Sequence, residues 1–481
     1  MKGLSNKKHK GRSLNVKWSV KKVFCLIFIV VFCSFLSVGC NSIKVDESGG
    51  ISYDVCASYD YDNHILNGEV GVDYVYQGEA TVTSLPFYLH PNRYGEGLLE
   101  IVSVHIDGTQ VGFSVVDDIY MEVALPYELF SGDKVSLVIN WKVQVLEGDG
   151  IFGYTVDEVR LSGWYPVLLT YDGEWQKEEG KWGDYLFSSC ADYTVRLTLG
   201  EELIVASSGK RLSTTNSNGN VTYTYKGENM RDFAFSISPS YKVVSGVCGG
   251  TLISAYAYSD SVAQEVLSYA QRALSYYNQN YGDYPYPTYS VCVTKIKEGG
   301  MEFSGIVYVN EQLEGVELEE VVAHETAHQW WYGLVGSSPV THAWLDEGLT
   351  EYSTYKYLSH VYGDEVYQKK VQSAYKAYSA LLDVEVRLGG KSDIPLSVTN
   401  SKYRSTYEYV MVTYVKGALF FDNLNAITFG KFDLALRDYC SQFSYTIVTP
   451  EDLRLVVEEK SKLNLLGVFD AWESGKVVFC F

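Results

Sequence analysis

The tightest constraint on this chain is the stretch Val321–Gly348. It reads Val-Val-Ala-His324-Glu325-Thr326-Ala327-His328-Gln329-Trp330, then a turn, then Trp344-Leu345-Asp346-Glu347-Gly348. On a helix, His324 and His328 lie one turn apart on one face, so both imidazoles can reach a single ion. Glu325, one residue round, stands beside that ion and can hold a proton. A catalytic zinc site takes three protein ligands and keeps one position open for water. Glu347 is the candidate third ligand: eighteen residues separate it from His328, enough for a helix end, a turn and a return over the ion. The pattern H-E-x-x-H alone also occurs on surface helices whose histidines bind nothing. Glu347 at this spacing argues for the zinc site.

The same residues predict local structure. Glu317, Glu319 and Glu320 cluster where a helix would begin, and negative charge there meets the positive helix end. Leu318, Val321 and Val322 supply its buried side. The helix is expected to start near Glu317 and stop near Gly333, with Ser337-Ser338-Pro339 as a turn and Thr341 as cap of the next helix.

A chain of 481 residues implies two or three domains. From 51 to 240 the signal is β: Glu79–Thr83, Lys134–Ile139 and Tyr193–Thr198 alternate and are bounded by Gly, Asp and Asn turns. An antiparallel sandwich or saddle fits this region. The pattern changes near Tyr241. Ser261–Tyr277 carries a helical apolar stripe, Tyr289–Thr294 and Gly305–Val309 read as strands, and the rest of 241–481 is mostly helical. The fold class is α+β, an N-terminal antiparallel β domain followed by a mostly helical domain.

Charge is unevenly placed. Residues 1–39 hold eight Lys and Arg and no acid, so removing them takes the formal charge from −20 to −28. Such a body repels nucleic acid, and the basic start reads as a targeting device. Its apolar run Val23–Val38 is shorter than the roughly 20 residues of a membrane span. Leu36-Ser37-Val38-Gly39-Cys40 resembles a loose bacterial lipobox, with Ser37 where Leu is usual. Residues 1–40 are therefore read as a signal and lipoprotein segment lipidated at Cys40, with an uncleaved apolar anchor as the alternative, and 41–50 as a tether. Either places the body outside the cytoplasm on the bacterial cell membrane. Cys56, Cys190, Cys248, Cys292, Cys440 and Cys480 show no metal-binding spacing and are expected to be buried free thiols.

With its flanks, the motif resembles the gluzincin zinc peptidases of the aminopeptidase N type. Ala327-His328-Gln329-Trp330 and Trp344-Leu345-x-Glu347-Gly348 are similar to that family's flanking segments. Gly299-Gly300-Met301-Glu302 resembles the start of its Gly-x-Met-Glu-Asn substrate motif, and Tyr414-x-Lys416-Gly417 its Tyr-x-Lys-Gly segment. The resemblance begins in the β region, at Trp164-Tyr165-Pro166, and runs nearly to the C-terminus. It implies a thermolysin-like catalytic domain over 241–481, one zinc ion on His324, His328 and Glu347, and peptide substrates. It also implies that Glu325 is the proton carrier, Tyr414 the oxyanion partner, and Glu302 the holder of the substrate's free amine. Gly299, Gly300 and Met301 would let a peptide align along Met301–Val309 as an added strand.

The departures concern specificity. Phe303 stands where the family has Asn, and Trp331-Tyr332-Gly333 where many members have Phe-Gly-Asn. The acidic motif of the family's N-terminal domain is not evident. Only 67 residues follow Tyr414, so the family's large C-terminal helical domain is expected to be absent and the cleft to be more open. Glu351 could bond a ligand histidine or lie on a solvated helix face. Tyr409 could face the site, and His342 and His360 read as surface residues. The expected function is zinc-dependent peptide hydrolysis by an aminopeptidase. The rivals are an endopeptidase of the same fold and a non-catalytic surface binding protein.

Overall fold

The computed structural model describes residues 50–477 apart from 178–179, 184–186, 201–202 and 391–392. The expected signal segment 1–40 with Cys40, the expected tether 41–50 apart from Gly50, and Cys480 lie outside the described residues. Among the described residues no helix is long and apolar enough to cross a membrane.

The β region is organised by an eight-stranded sheet. Its spatial order is Lys210–Ser217, Asn220–Met230, Ala191–Leu199, Ile51–Asp60, Ile65–Val75, Lys134–Gln144, Leu99–Ile106 and Thr109–Val111. Ile51–Asp60 shows why such residues make a strand: Ile51, Tyr53, Val55, Ala57 and Tyr59 are buried, and the residues between them face outward. Among the described strands of this sheet, the expected antiparallel pairing holds except between two of them. Ile51–Asp60 runs parallel to Ala191–Leu199, which the chain reaches only after the intervening strands are complete. Two four-stranded sheets pack with it, one around Val82–Tyr88 and one around Phe235–Ser238. The strand expected at Glu79–Thr83 begins at Val82. Trp164 is wholly buried, and its indole N–H donates to the Phe233 carbonyl at 2.8 Å, which satisfies the polar atom that burial would otherwise strand.

A five-stranded sheet follows, in the order Lys242–Cys248, Thr251–Ala257, Thr288–Thr294, Ile306–Asn310, Gly300–Phe303. Helix Asp260–Tyr281 lies between its second and third strands in the chain and extends the expected 261–277 at both ends. Ser259 caps it, accepting from the Val262 N–H at 3.3 Å, and Ala263, Val266, Ala270, Ala273 and Tyr277 form its buried stripe. The strand expected at Gly305–Val309 is Ile306–Asn310, and the peptide track expected along Met301–Val309 is a hairpin, with Gly300–Phe303 paired against it. Gly305 makes the turn at φ +75°, and a Cβ there would overlap the Ser208 carbonyl oxygen. Gly300–Phe303 is therefore an edge strand.

The histidine helix is Gly315–Ala327 and the glutamate helix Ala343–Tyr362. The first ends six residues before the expected Gly333. From His328 the backbone widens: the N–H groups of Gly333, Leu334 and Val335 donate to the carbonyls of His328, Gln329 and Trp330. Thr341 is not the cap of the second. His342 holds that position without a side-chain bond to the helix, and Thr341 Oγ1 is 3.1 Å from His342 Nδ1. Helices Asp364–Arg387, Thr406–Val410, Gly417–Ile427, Lys431–Phe443, Pro450–Ser461 and Leu466–Glu473 complete the domain.

The change of sheet falls between Ser238 and Lys242, yet the described residues form one compact unit. Arg231, 2% exposed, joins the parts: it donates to the carbonyls of Tyr332, of Ser188 at 3.0 Å and of Thr446 at 2.7 Å. Five cysteines are described and all are free; Cys190, Cys292 and Cys440 are buried, but Cys56 is exposed and Cys248 half-buried.

Candidate active site

His324 and His328 sit at the end of the histidine helix with both Nε2 atoms turned toward Glu347. The separations are 3.3 Å between the two nitrogens, and 3.6 Å and 3.3 Å from His324 and His328 to Glu347 Oε2. A tetrahedral ion with bonds of about 2.0–2.1 Å holds its ligand atoms about 3.4 Å apart, so this triangle has the dimensions of a zinc site. Glu347 Oε2 is buried and has no hydrogen-bond partner, a costly arrangement unless a cation completes it. The residues present fit the ion.

Each ligand is oriented from behind. His328 Nδ1 lies 2.7 Å from Asp346 Oδ1, 3.1 Å from the Trp331 carbonyl and 3.2 Å from Thr350 Oγ1. His324 Nδ1 lies 3.2 Å from Glu351 Oε2, so Glu351 does bond a ligand histidine. These contacts aim the Nε2 lone pairs at the ion and raise ligand basicity. Burial lowers the His324 pKa, but the carboxylates of Glu347 and Glu351 beside it outweigh that and raise it to about 9. Burial also lifts Glu347, but the two histidines overcome it and hold the carboxylate at about 2.

Glu325 points into the same cleft, 5% exposed, with Oε2 unbonded. Burial lifts its carboxyl to about 7 against the opposing pull of His324 and His328. Gly300 lies directly alongside, where a Cβ would overlap the Glu325 carboxylate. Glu302, next but one along the edge strand, is buried with Oε1 3.9 Å from His328 Nδ1.

Tyr414 arrives from the opposite side on a π-helical turn, Met411–Lys416, the kind of widened helix often found at functional sites. Its hydroxyl donates to Glu347 Oε1, and its ring lies 6.0 Å from that of His324 at 11°. Burial drives its pKa well above 10, so it stays a proton donor. Tyr409 meets Tyr414 edge-on at 6.2 Å and lines the cleft. The cleft holds about 750 Å³ and brings together the residues the sequence assigned to the site: Gly299, Gly300, Met301, Glu302, His324, Glu325, His328, Glu347 and Tyr414.

His342 and His360 do not line it; His360 is exposed and packs on Tyr276 at 5.1 Å, while His342 is half-buried. Phe303 is fully buried against Tyr308, its carbonyl accepting from Gln329 Nε2 at 3.0 Å, so it props the strand rather than facing substrate. Sequence reasoning missed Asp346, although its place beside Glu347 was a usable signal. It also missed Tyr94, Gly150, Ile151 and Gly183, which the β region contributes to the wall and which no local pattern marks.

Two histidines four residues apart with a distant glutamate, on a strand-edged helical domain, define the gluzincin class. Within that class, residues 265–472 match the Peptidase family M1 domain, which supports an M1 aminopeptidase-like gluzincin. It is 30% identical over 149 residues to leucine aminopeptidase 2 of Neosartorya fischeri, covering 30% of this chain and 24% of that protein. It is 25% identical over 153 residues to glutamyl aminopeptidase of Bos taurus, covering 32% of this chain and 16% of that one. The matched stretch thus spans a quarter or less of these relatives' length. The crystal structure of a mutant M1 zinc metallopeptidase from Deinococcus radiodurans shares the fold, with a TM-score of 0.65 and 18% identity over 90% of this chain and 96% of that one.

Proposed function

We propose that the protein is a zinc-dependent aminopeptidase acting on extracytoplasmic peptides. The observation that carries this reading is the convergence of His324 Nε2, His328 Nε2 and Glu347 Oε2 beside an unbonded Glu325 and the free edge of Gly300–Phe303. A bound zinc would supply Lewis acidity toward water and the scissile carbonyl. Glu325 takes the proton of the attacking water and passes it to the leaving amine. Tyr414 donates to the oxyanion that develops as water adds. A substrate backbone pairs with the edge strand as one further strand, its free amine on Glu302.

Removal of N-terminal residues, rather than internal cleavage, is favoured by what lies beyond Glu302. The strand turns there into the β region: Ser304 N–H donates to Asp232 Oδ1 and Arg231 N–H to Ser304 Oγ, each at 3.0 Å. A peptide extended past Glu302 meets that wall.

The test compares one fluorogenic peptide with a free and an acetylated N-terminus. An aminopeptidase cleaves only the first; equal cleavage of both makes the protein an endopeptidase. Glu325→Gln should retain zinc and lose turnover, and parent-like turnover would contradict the assigned proton carrier. Surface anchoring through Cys40 belongs to the same reading and rests on the basic, apolar, Gly39-Cys40 order of the N-terminal segment. Lipid labelling of the wild type but not of Cys40→Ala tests it.

A further inference from the structure

The edge strand is held only lightly by its own sheet. Gly300–Phe303 is four residues long, pairs on one side with Ile306–Asn310, and turns back through Ser304-Gly305 alone. Its position against the histidine helix is fixed instead at the turn, where four backbone groups bond to residues beyond the hairpin. Gly305 N–H donates to Gln329 Oε1 at 2.9 Å, and Gln329 Nε2 donates to the Phe303 carbonyl at 3.0 Å. Ser304 N–H donates to Asp232 Oδ1 and Ser290 N–H to the Gly305 carbonyl, each at 3.0 Å.

Gln329 directly follows His328, and Phe303 directly follows Glu302. The carboxamide thus ties the neighbour of a metal ligand to the neighbour of the amine-binding glutamate. Gln329, Phe303 and Ser304 are wholly buried. A buried amide is costly unless its two ends are bonded; here one end meets a donor and the other an acceptor, so a single orientation satisfies both. A second arm starts three residues on. Tyr332 O–H donates to Asp232 Oδ2, on the same carboxylate that accepts from Ser304. Both arms run from the exit of the histidine helix to one turn. On the face of the strand toward that helix, Gly300 lies against Glu325 and Glu302 approaches His328. A shift of the turn would carry Glu302 with it, since one peptide unit separates Glu302 from the clamped Phe303. The plainer role for Gln329 is to satisfy two backbone groups of a buried turn, which would bear on stability alone.

We propose that Gln329, with Tyr332 acting through Asp232 as a second arm, is a positioning residue that fixes Glu302 one residue's length from the metal ligands and so sets the demand for a free N-terminal amine. This rests on the aminopeptidase reading above.

Calorimetric binding of two metal-chelating ligands to the full, zinc-loaded protein tests it: leucine hydroxamate, and the same hydroxamate without its amine. The parent should bind the amine-bearing ligand about 100-fold more tightly or better. Gln329→Met, which keeps the bulk and loses both bonds, should shrink that ratio about tenfold or more, because a small misplacement of a binding group is costly. Tyr332→Phe, which deletes one oxygen, should shrink it about threefold. Zinc content should match the parent's in both variants; loss of zinc in Gln329→Met would make it a residue of metal retention and overturn the inference. A purely structural role would lower the unfolding temperature and leave the ratio at the parent's value. That result in Gln329→Met overturns the inference while the aminopeptidase reading stands, and in Tyr332→Phe alone it strikes out the second arm. If Gln329→Met does not fold, Tyr332→Phe decides, an unchanged ratio overturning the inference. A parent that binds both ligands equally overturns the aminopeptidase reading, and the inference with it.

Discussion

Gly348 and Gly417 meet backbone to backbone. A Cβ on Gly348 would stand 2.7 Å from the Cα of Gly417, and one on Gly417 2.8 Å from the Cα of Gly348. Gly348 follows the ligand Glu347 and Gly417 follows the turn that carries Tyr414. The two glycines set how closely the tyrosine approaches the ligand. Gly348→Ala and Gly417→Ala should therefore each cut kcat at least tenfold and destabilise the fold by about 1–3 kcal/mol, the usual cost of overpacking. Denaturant titration with peptide kinetics checks both effects; a variant with full activity would show that this contact does not position Tyr414.

Asp346 holds His328 by its Nδ1 and should act through metal retention. Asp346→Ala is expected to weaken zinc binding about 10- to 100-fold, and Asp346→Asn less, because an amide can still accept the ring N–H. Competition with a chromophoric chelator measures the change. An unchanged affinity in Asp346→Ala would remove this role.

Lys416 and Asp393 form a buried ion pair, Nζ at 2.9 and 3.0 Å from the two carboxylate oxygens, with side chains 0% and 1% exposed. Burial pulls the lysine down to about 8 despite Asp393. Breaking one partner leaves the other charged without a mate, so Lys416→Met should cost about 3–5 kcal/mol. The double variant Lys416→Met, Asp393→Leu should recover part of this loss in a thermal or denaturant unfolding series.

His90 is fully buried in the β region, and burial, aided by Arg93, lowers its pKa from 6.5 to about 3. Between those values the unfolded chain binds a proton on this ring that the folded protein does not. Stability therefore falls as pH drops from 6.5 toward 3, by up to on the order of 4 kcal/mol. His90→Leu should flatten this part of the stability curve, measured by urea unfolding across the pH range. An identical slope in the variant would assign the acid sensitivity to other groups.

The grouping of the candidate metal site was readable because each requirement is local: His324 and His328 need one helical turn, and Glu347 needs a fixed return. The strand Tyr289–Thr294 and the stripe beginning at Ser261 were likewise written in short-range periodicity. The hairpin at Ser304-Gly305 was not, since its turn is imposed by Ser208, nearly a hundred residues upstream. The parallel pairing of Ile51–Asp60 with Ala191–Leu199 has the same origin, a partner chosen by topology. Gly333 resembled a helix stop, but the backbone had already widened at His328, where Asp346 and Thr350 claim the ring. The walls supplied by Tyr94 and Ile151 depend on docking between sheets and leave no trace in local pattern.

Arg231 carries a consequence for inheritance. Its guanidinium grips Tyr332 just past the second histidine, Ser188 in the β region and Thr446 near the chain's end. The exit from the metal-binding helix is thus held by a residue that precedes the catalytic half. A fragment beginning at 241 would lack that grip, and the carbonyls of Tyr332 and Thr446 would lose its guanidinium as donor. Recombination that keeps this anchor must carry the β region along with the metal-binding half, as one heritable cassette.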